Sequence, residues 1–286
     1  MRPQQNIHEQ CGLESRAVSS PSEQSLPSAS VLRQLCLLLW WPLNVVQALY
    51  TVAWSMLCIS LALLVFALSG SRRVPLAMAR HLWAPGLMLG AGARLRIEGS
   101  ERVDWSQPLL IVANHQSMID ICALFRAAPV PLRFVLKDEL TRLPFLGWYV
   151  RAMGMIGIAR GDGRKARQSI TQAATLLRDG ATLAAFPEGT RKPSGLPRAF
   201  KGGALQIAIS AGCPVLPVAI IGSGAVLPAG GFRVRPGSIT VRFGEPIPTV
   251  SLDAGNRQTL ARQARDAVAA MKAAARNGDS QNPHCS

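Results

Sequence analysis

From Gln34 to Ser71 the chain carries no charged side chain. As one helix that stretch would extend roughly 57 Å, well beyond a hydrocarbon core of about 30 Å. Pro42 follows Trp40 and Trp41, which predicts a break near a headgroup boundary. LNVVQALYTVAWSMLCISLALLVFALSG then reads as one long span ending at Gly70, with Arg72 and Arg73 beyond it. A helix pair that dips into one leaflet and returns fits the same pattern, whereas a buried core helix needs no such length. The chain is therefore expected at a membrane. Residues 1–33 are rich in Ser, Gln, Pro and Glu and read as a disordered polar tail, too long and polar to open a cleavable secretory signal.

After residue 90 short apolar runs alternate with amphipathic stretches. ARLRIEGSERV alternates like a half-buried strand, and PLLIVAN, LRFVLK, ATLAAF, PVLPVAIIG and SITVRFG read as further strands. SMIDICALFRAA, KARQSITQAATLLRDG and GALQIAISAG read as helices, the second with Ile170, Ala173, Ala174 and Leu177 on one face. The last element, about 255–276, reads as an Ala/Arg-rich surface helix. Strands alternating with helices predict an α/β fold with a mixed, largely parallel sheet flanked by helices. The expected organisation is a tail (1–33), a membrane anchor of one span or a re-entrant helix pair (34–71), an α/β domain (72–250), and a C-terminal surface helix and tail (251–286).

Lys plus Arg number 31 against 16 Asp plus Glu. The resulting +15 suits an anionic partner: a membrane surface, nucleic acid or a phosphorylated substrate. Nucleic-acid binding would want basic patches interleaved with exposed aromatics, yet aromatics make up only 6% and Trp40, Trp41 and Trp54 fall in the anchor. No nucleic-acid partner is expected. The six cysteines are scattered without a C-x-x-C pair, so neither a disulfide framework nor a zinc site is legible.

LIVANHQSMID, residues 110–120, puts Asn114 and His115 where a strand ends, and open α/β sheets bind ligands at that edge. A histidine there can take a proton from a hydroxyl as its oxygen attacks a carbonyl. A carboxylate on its other ring nitrogen would fix the tautomer, and Asp120 follows in the first turn of the next helix. Ser117-x-x-Asp120 also has capping-box spacing, so Asp120 could simply satisfy backbone donors. FPEGTR, residues 186–191, occupies a second strand exit. Gly189 allows close backbone approach, Thr190 can donate a hydrogen bond, and Arg191 can grip phosphate; the same residues would also serve as an ordinary turn with a solvated arginine. Arg198 and Lys201 follow, and FKGGA opens a helix whose N-terminus favours anions.

Taken together these motifs make the chain resemble the glycerolipid acyltransferases, specifically the 1-acyl-sn-glycerol-3-phosphate (lysophosphatidate) acyltransferase family, over roughly residues 90–245. NHQSMID matches the family's first motif, N-H-x-x-x-x-D. FPEGTR matches the third in full, and VLPVAI at 215–220 matches the proline-containing fourth. KDELTRLPFLGW at 137–148 is similar to the Lys-x-Glu-Leu…Pro-x-x-Gly stretch that precedes the second. That second motif, normally G-x-I-F-I-x-R, departs here: GMIGIAR keeps Gly154, Ile156, Ile158 and Arg160, but Gly157 replaces a bulkier residue and Ala159 a polar one.

The resemblance implies that His115 is the general base toward the free hydroxyl of a lysophospholipid and that Asp120 orients it. The hydroxyl would attack the thioester of acyl-CoA or acyl-carrier protein directly, without an acyl-enzyme, a metal or a bound cofactor. Glu188, Gly189, Thr190 and Arg191 would hold the glycerol phosphate, with Asn114, Arg160 and Lys201 grouped as further substrate-binding residues, and Pro217 would shape the acyl-side pocket. The product would be phosphatidate, made at the cytosolic face of a membrane; Arg72, Arg73 and Arg80 on the domain side agree with that orientation. Two alternatives are another lyso-lipid acceptor, such as a lyso-ornithine lipid, and a non-catalytic membrane-binding scaffold, which predicts erosion of His115, Asp120 or Glu188. His8, His81 and His284 read as solvated, Met153 and Met155 as packing residues, and Trp148 as interfacial or buried.

Overall fold

The computed structural model describes residues 29–280 apart from 160, 192–195 and 232, with side chains described from residue 40 to 275. In chain order the elements are α1 (Ala29–Ser69), α2 (Arg73–Met78), a π turn (Ala79–Trp83), α3 (Ala84–Gly90), β1 (Ala93–Glu98), β2 (Leu110–Ala113), α4 (Ile119–Ala127), β3 (Leu132–Lys137), α5 (Leu146–Ala152), β4 (Ile156–Ile158), α6 (Gly163–Arg178), β5 (Thr182–Ala185), α7 (Gly202–Ala211), β6 (Val215–Ile221), α8 (Ser223–Val226), β7 (Gly237–Phe243) and α9 (Arg257–Ser280). The strands form one seven-stranded sheet in the order β1-β7-β6-β2-β5-β3-β4. Its pairings are parallel except for β6 against β7, so β1 and β7 run against the other five strands.

Strands β2 and β5 are buried at every position, which is why LIVA and TLAA carry no polar alternation. One face of the sheet packs against α3 and α4 through Leu87, Met88, Leu124 and Phe125. The other packs against α6, α7 and α9 through Leu177, Leu205, Leu260 and Val268. The C-terminal helix, expected at the surface, is thus half core: Leu260, Ala261, Ala264 and Val268 recur at three- and four-residue spacing and are buried.

Pro42, expected to break the apolar segment, lies inside α1. A proline removes one donor from the helical ladder, and here the helix runs on past it to Ser69. Trp40–Ser69 is long and apolar enough to cross a membrane. Its inner face lies on α3 and the π turn. Tyr50 Oη donates to the Gly86 carbonyl at 2.9 Å, Trp54 Nε1 to the Trp83 carbonyl at 3.2 Å, and Trp83 Nε1 to Ser55 Oγ at 3.1 Å. Gly86 and Gly90 have no side chain because the Trp54 and Tyr50 rings occupy that space. The outer face of α1 leaves Leu49, Val52, Leu57, Leu64 and Leu68 more than half exposed.

Pro217 stands in an interior strand, a position that costs a ladder donor. Its carbonyl accepts from Gly244 N–H at 2.9 Å, on the side where β7 has just ended. The missing donor therefore falls at the end of the β6–β7 ladder, where no strand residue needs it.

Candidate active site

Because β6, β2 and β5 are neighbours, the segments that leave their C-terminal ends converge. Strand β2 delivers Asn114 and His115, β5 delivers Phe186 to Arg191, and β6 ends beside them at Ile220 and Ile221. Asp120 lies in the first turn of α4 and is fully buried. Its Oδ2 lies 2.8 Å from His115 Nδ1 and accepts from Gln116 N–H at 2.7 Å and Ser117 N–H at 2.8 Å. The two readings of Asp120 are therefore one arrangement: a single oxygen orients the imidazole and satisfies the turn's backbone donors. The other oxygen, Oδ1, is buried and makes no hydrogen bond within the described residues. Burial, and then the Asp120 charge, push the neighbouring Cys122 thiol up to about 12.

The His115 side chain keeps 14% of its surface exposed. Its ring stacks on Phe186, with centroids 4.1 Å apart and planes 14° from parallel. Phe186 stacks in turn on Phe134 at 5.9 Å, Phe134 meets Phe125 at 5.0 Å, and Phe125 meets Trp83 edge-on at 5.8 Å. An aromatic column thus runs from the imidazole to the helices beneath α1. Phe186 was not singled out from the sequence; its signal was an aromatic residue at the mouth of a buried strand, just before Pro-Glu-Gly-Thr.

Two expected substrate contacts are instead spent on the protein itself. Asn114 is fully buried, and its amide grips both backbone groups of Ile220: Nδ2 donates to the carbonyl at 2.9 Å and Oδ1 accepts from the N–H at 2.8 Å. Glu188 is buried, and its Oε1 accepts from His115 N–H at 3.0 Å while Oε2 accepts from Arg198 N–H at 3.2 Å. It braces the His115 backbone against the loop leading to α7. Pro217 is likewise buried within the sheet. Arg160 lies outside the described residues, as do His8 and His284.

The remaining motif residues face outward. Gly189 has φ +75°, the left-handed turn that lets the chain reverse over Phe186, whose carbonyl accepts Gly189 N–H at 3.1 Å. Thr190 and Arg191 are exposed, as is Lys201 at the position before α7. Arg198, noted in the sequence only as a nearby cation, donates from its guanidinium to Thr190 Oγ1 at 3.2 Å. Arg191, Arg198 and Lys201 are exposed cations on the segment that Glu188 ties to the His115 backbone.

The profile of the Acyltransferase family matches residues 94–221, which span β1 to β6 and hold His115, Asp120 and the Glu188 loop. A 1-acyl-sn-glycerol-3-phosphate acyltransferase of Chlamydomonas reinhardtii is 31% identical over 91% of this chain and 76% of its own length. The chain belongs to the 1-acyl-sn-glycerol-3-phosphate acyltransferase family. A crystal structure of such an enzyme, PlsC of Thermotoga maritima, superposes with a TM-score of 0.68 at 26% identity, covering 85% of this chain and 98% of that one. A lyso-ornithine lipid O-acyltransferase of Pseudomonas aeruginosa is 35% identical over 65% of this chain and 75% of its own length. The lighter second motif of this acyltransferase has a local cause. A side chain at Gly157 would meet Thr141 Cγ2 at 2.8 Å and Asp138 Cα at 3.0 Å, because the turn before α5 packs onto β4.

Proposed function

We propose that this acyltransferase moves a fatty acyl group from acyl-CoA or acyl-carrier protein to the free hydroxyl of 1-acyl-glycerol 3-phosphate, giving phosphatidate at the cytosolic face of a membrane. The observation that carries the chemistry is the 2.8 Å contact between His115 Nδ1 and Asp120 Oδ2. A carboxylate there takes the Nδ1 proton as a hydrogen bond and leaves the lone pair on Nε2. Nε2 accepts the hydroxyl proton as the oxygen attacks the thioester carbon, and the imidazolium returns that proton to the departing thiolate. The carbon–oxygen bond forms as the carbon–sulfur bond breaks, so the exchange closes without a metal, a redox group or an acyl-enzyme. In this reading Thr190, Arg191 and Lys201 receive the phosphate of the acceptor, with Arg160 as a further cation. Glu188 and Asn114 hold the frame.

The phosphate acceptor is supported by the cations exposed on the Glu188 loop, since a phosphate monoester is matched by more than one guanidinium. The likeness to the lyso-ornithine enzyme favours a second acceptor class, which has no phosphate to grip. Membranes containing the chain, a labelled acyl-CoA and either lysophosphatidate or a lyso-ornithine lipid separate the two, with acyl-carrier protein as a second donor. Labelled phosphatidate formed by the parent and lost in His115→Ala is the expected result. Activity surviving His115→Ala would remove the proposed base, and product from the lyso-ornithine acceptor alone would replace the proposed substrate.

A further inference from the structure

The turn between β3 and α5 exposes large apolar side chains. Leu140, Leu143, Leu146 and Trp148 are 37%, 47%, 37% and 49% exposed within a stretch of nine residues. Among the described residues Phe145 is the one non-glycine with positive φ, at +58°, a conformation that costs energy and persists only where its surroundings fix it. Those surroundings are present. The Phe145 ring packs on Trp148 with centroids 5.0 Å apart, and a side chain at Gly147 would collide with the Thr141 carbonyl. Arg151 donates to that same carbonyl. The turn is thus held in a strained shape whose result is to keep leucines and a tryptophan in the open.

The turn lies against α1 through α5. The opposite side of α5 buries Tyr149 and Met153 against Ala62 and Leu76, with Ile59 and Phe66 alongside. Where α1 ends, exposed Arg72 donates to the Ala152 carbonyl at 2.7 Å and lies over the Phe66 ring. Arg73, Arg142 and Arg151 are exposed around it. The acids within the turn are matched: Asp138 pairs with Arg142 at 2.7 Å and Glu139 with Lys137 at 3.0 Å. Apolar side chains at the centre, an exposed tryptophan and a rim of guanidinium groups are the composition of an element lying in the headgroup layer of an anionic bilayer.

We infer that the turn Asp138–Trp148 is a second membrane contact, which inserts Leu143, Leu146 and Trp148 into the headgroup and upper acyl region of an anionic leaflet. This rests on the reading that α1 is itself in the membrane. Docked at both places, the domain would be fixed in rotation about α1 as well as in distance from the lipid.

The test places a diazirine analogue of leucine singly at Leu143 or Leu57, or at the exposed Thr171 of α6, in the full chain. Each variant is irradiated in vesicles of phosphatidylethanolamine and phosphatidylglycerol, and lipid adducts are read by mass spectrometry. Lipid adducts at both Leu57 and Leu143, about fivefold or more above Thr171, are expected. Adducts at Leu57 with none at Leu143 would overturn the second contact and leave the anchor standing. A cross-link from position 143 to another polypeptide instead of lipid would also overturn it and make the patch a protein docking site. Absence of lipid at Leu57 as well would sink the membrane reading of α1, and this inference with it.

Discussion

The imidazole of His115 is held on its face by Phe186 and on its edge by Asp120. The ring stack is 4.1 Å between centroids and the Nδ1 contact is 2.8 Å. A ring fixed in plane and in rotation presents its other nitrogen in one direction, and an imidazolium that forms there is favoured by the π face beneath it. Phe186→Ala removes the floor while leaving Asp120 in place. It is expected to lower kcat by about 10- to 100-fold, as a misplaced base does, with little change in the KM for the lysolipid. Phe186→Tyr keeps the face and most of the rate. Steady-state kinetics on the two variants check this, and an unchanged kcat in Phe186→Ala would make the stack mere packing.

Glu188 offers two acceptor oxygens to two backbone donors, His115 N–H and Arg198 N–H. Glu188→Gln turns one acceptor into a donor that faces a donor, leaving a part-buried N–H unpaired at a cost of about 1 kcal/mol. The expected signature is a lower melting temperature together with a kcat loss larger than the rise in KM. If Glu188 instead touched the acceptor, KM would carry the effect and the melting temperature would hold.

The elements were legible where pattern and length agreed. LRFVLK has the bounds of β3, and GALQIAISAG covers α7 apart from its first residue. Helices α2, α3 and α5 escaped because six or seven residues with Pro75, Pro85 and Gly147 among them show no sustained period. Strand β4 escaped because it is three residues with a glycine in the middle. At the site the motif residues Asn114, His115, Asp120 and Glu188 do come together, but the partners of Asn114 and Glu188 were not legible. Asn114 and Glu188 serve backbone groups of Ile220, His115 and Arg198, and a backbone N–H or C=O has no side-chain identity to leave in a sequence.

Asn114 joins β2 to β6 from inside the sheet, across 106 residues of chain. Asn114→Ala leaves both Ile220 groups unsatisfied in a dry interior and opens a small cavity. Chemical denaturation should report about 3 kcal/mol of lost stability. Asn114→Asp should be worse, since it sets a carboxylate against the Ile220 carbonyl.

Cys122 supplies a pH dependence whose sign is fixed. Its folded pKa lies above the unfolded value, so from about pH 9 the unfolded thiol releases a proton that the folded one, raised to about 12, retains. Stability is unaffected below that window and falls as pH rises through it, on the order of 1 kcal/mol between pH 8 and pH 10. Melts of the parent and of Cys122→Ala at the two pH values isolate this share: the parent should lose more. Equal losses would mean that the thiol ionises as freely in the folded protein as in the unfolded chain.

Strand β1 has one neighbour in the sheet, β7, and the ion pair between them, Arg242 Nε to Glu98 Oε2 at 2.6 Å, joins residues 144 apart. At roughly 5–20 residues per second, a ribosome makes β7 on the order of 10 s after β1. For that interval the nascent domain holds α1 to α3 and an unpaired strand while the middle of the sheet assembles without it. The alternation that marks β1 as half-buried also places Arg94, Arg96 and Glu98 along one side of it. Charge on the waiting strand discourages a wrong partner during synthesis, before its own partner exists.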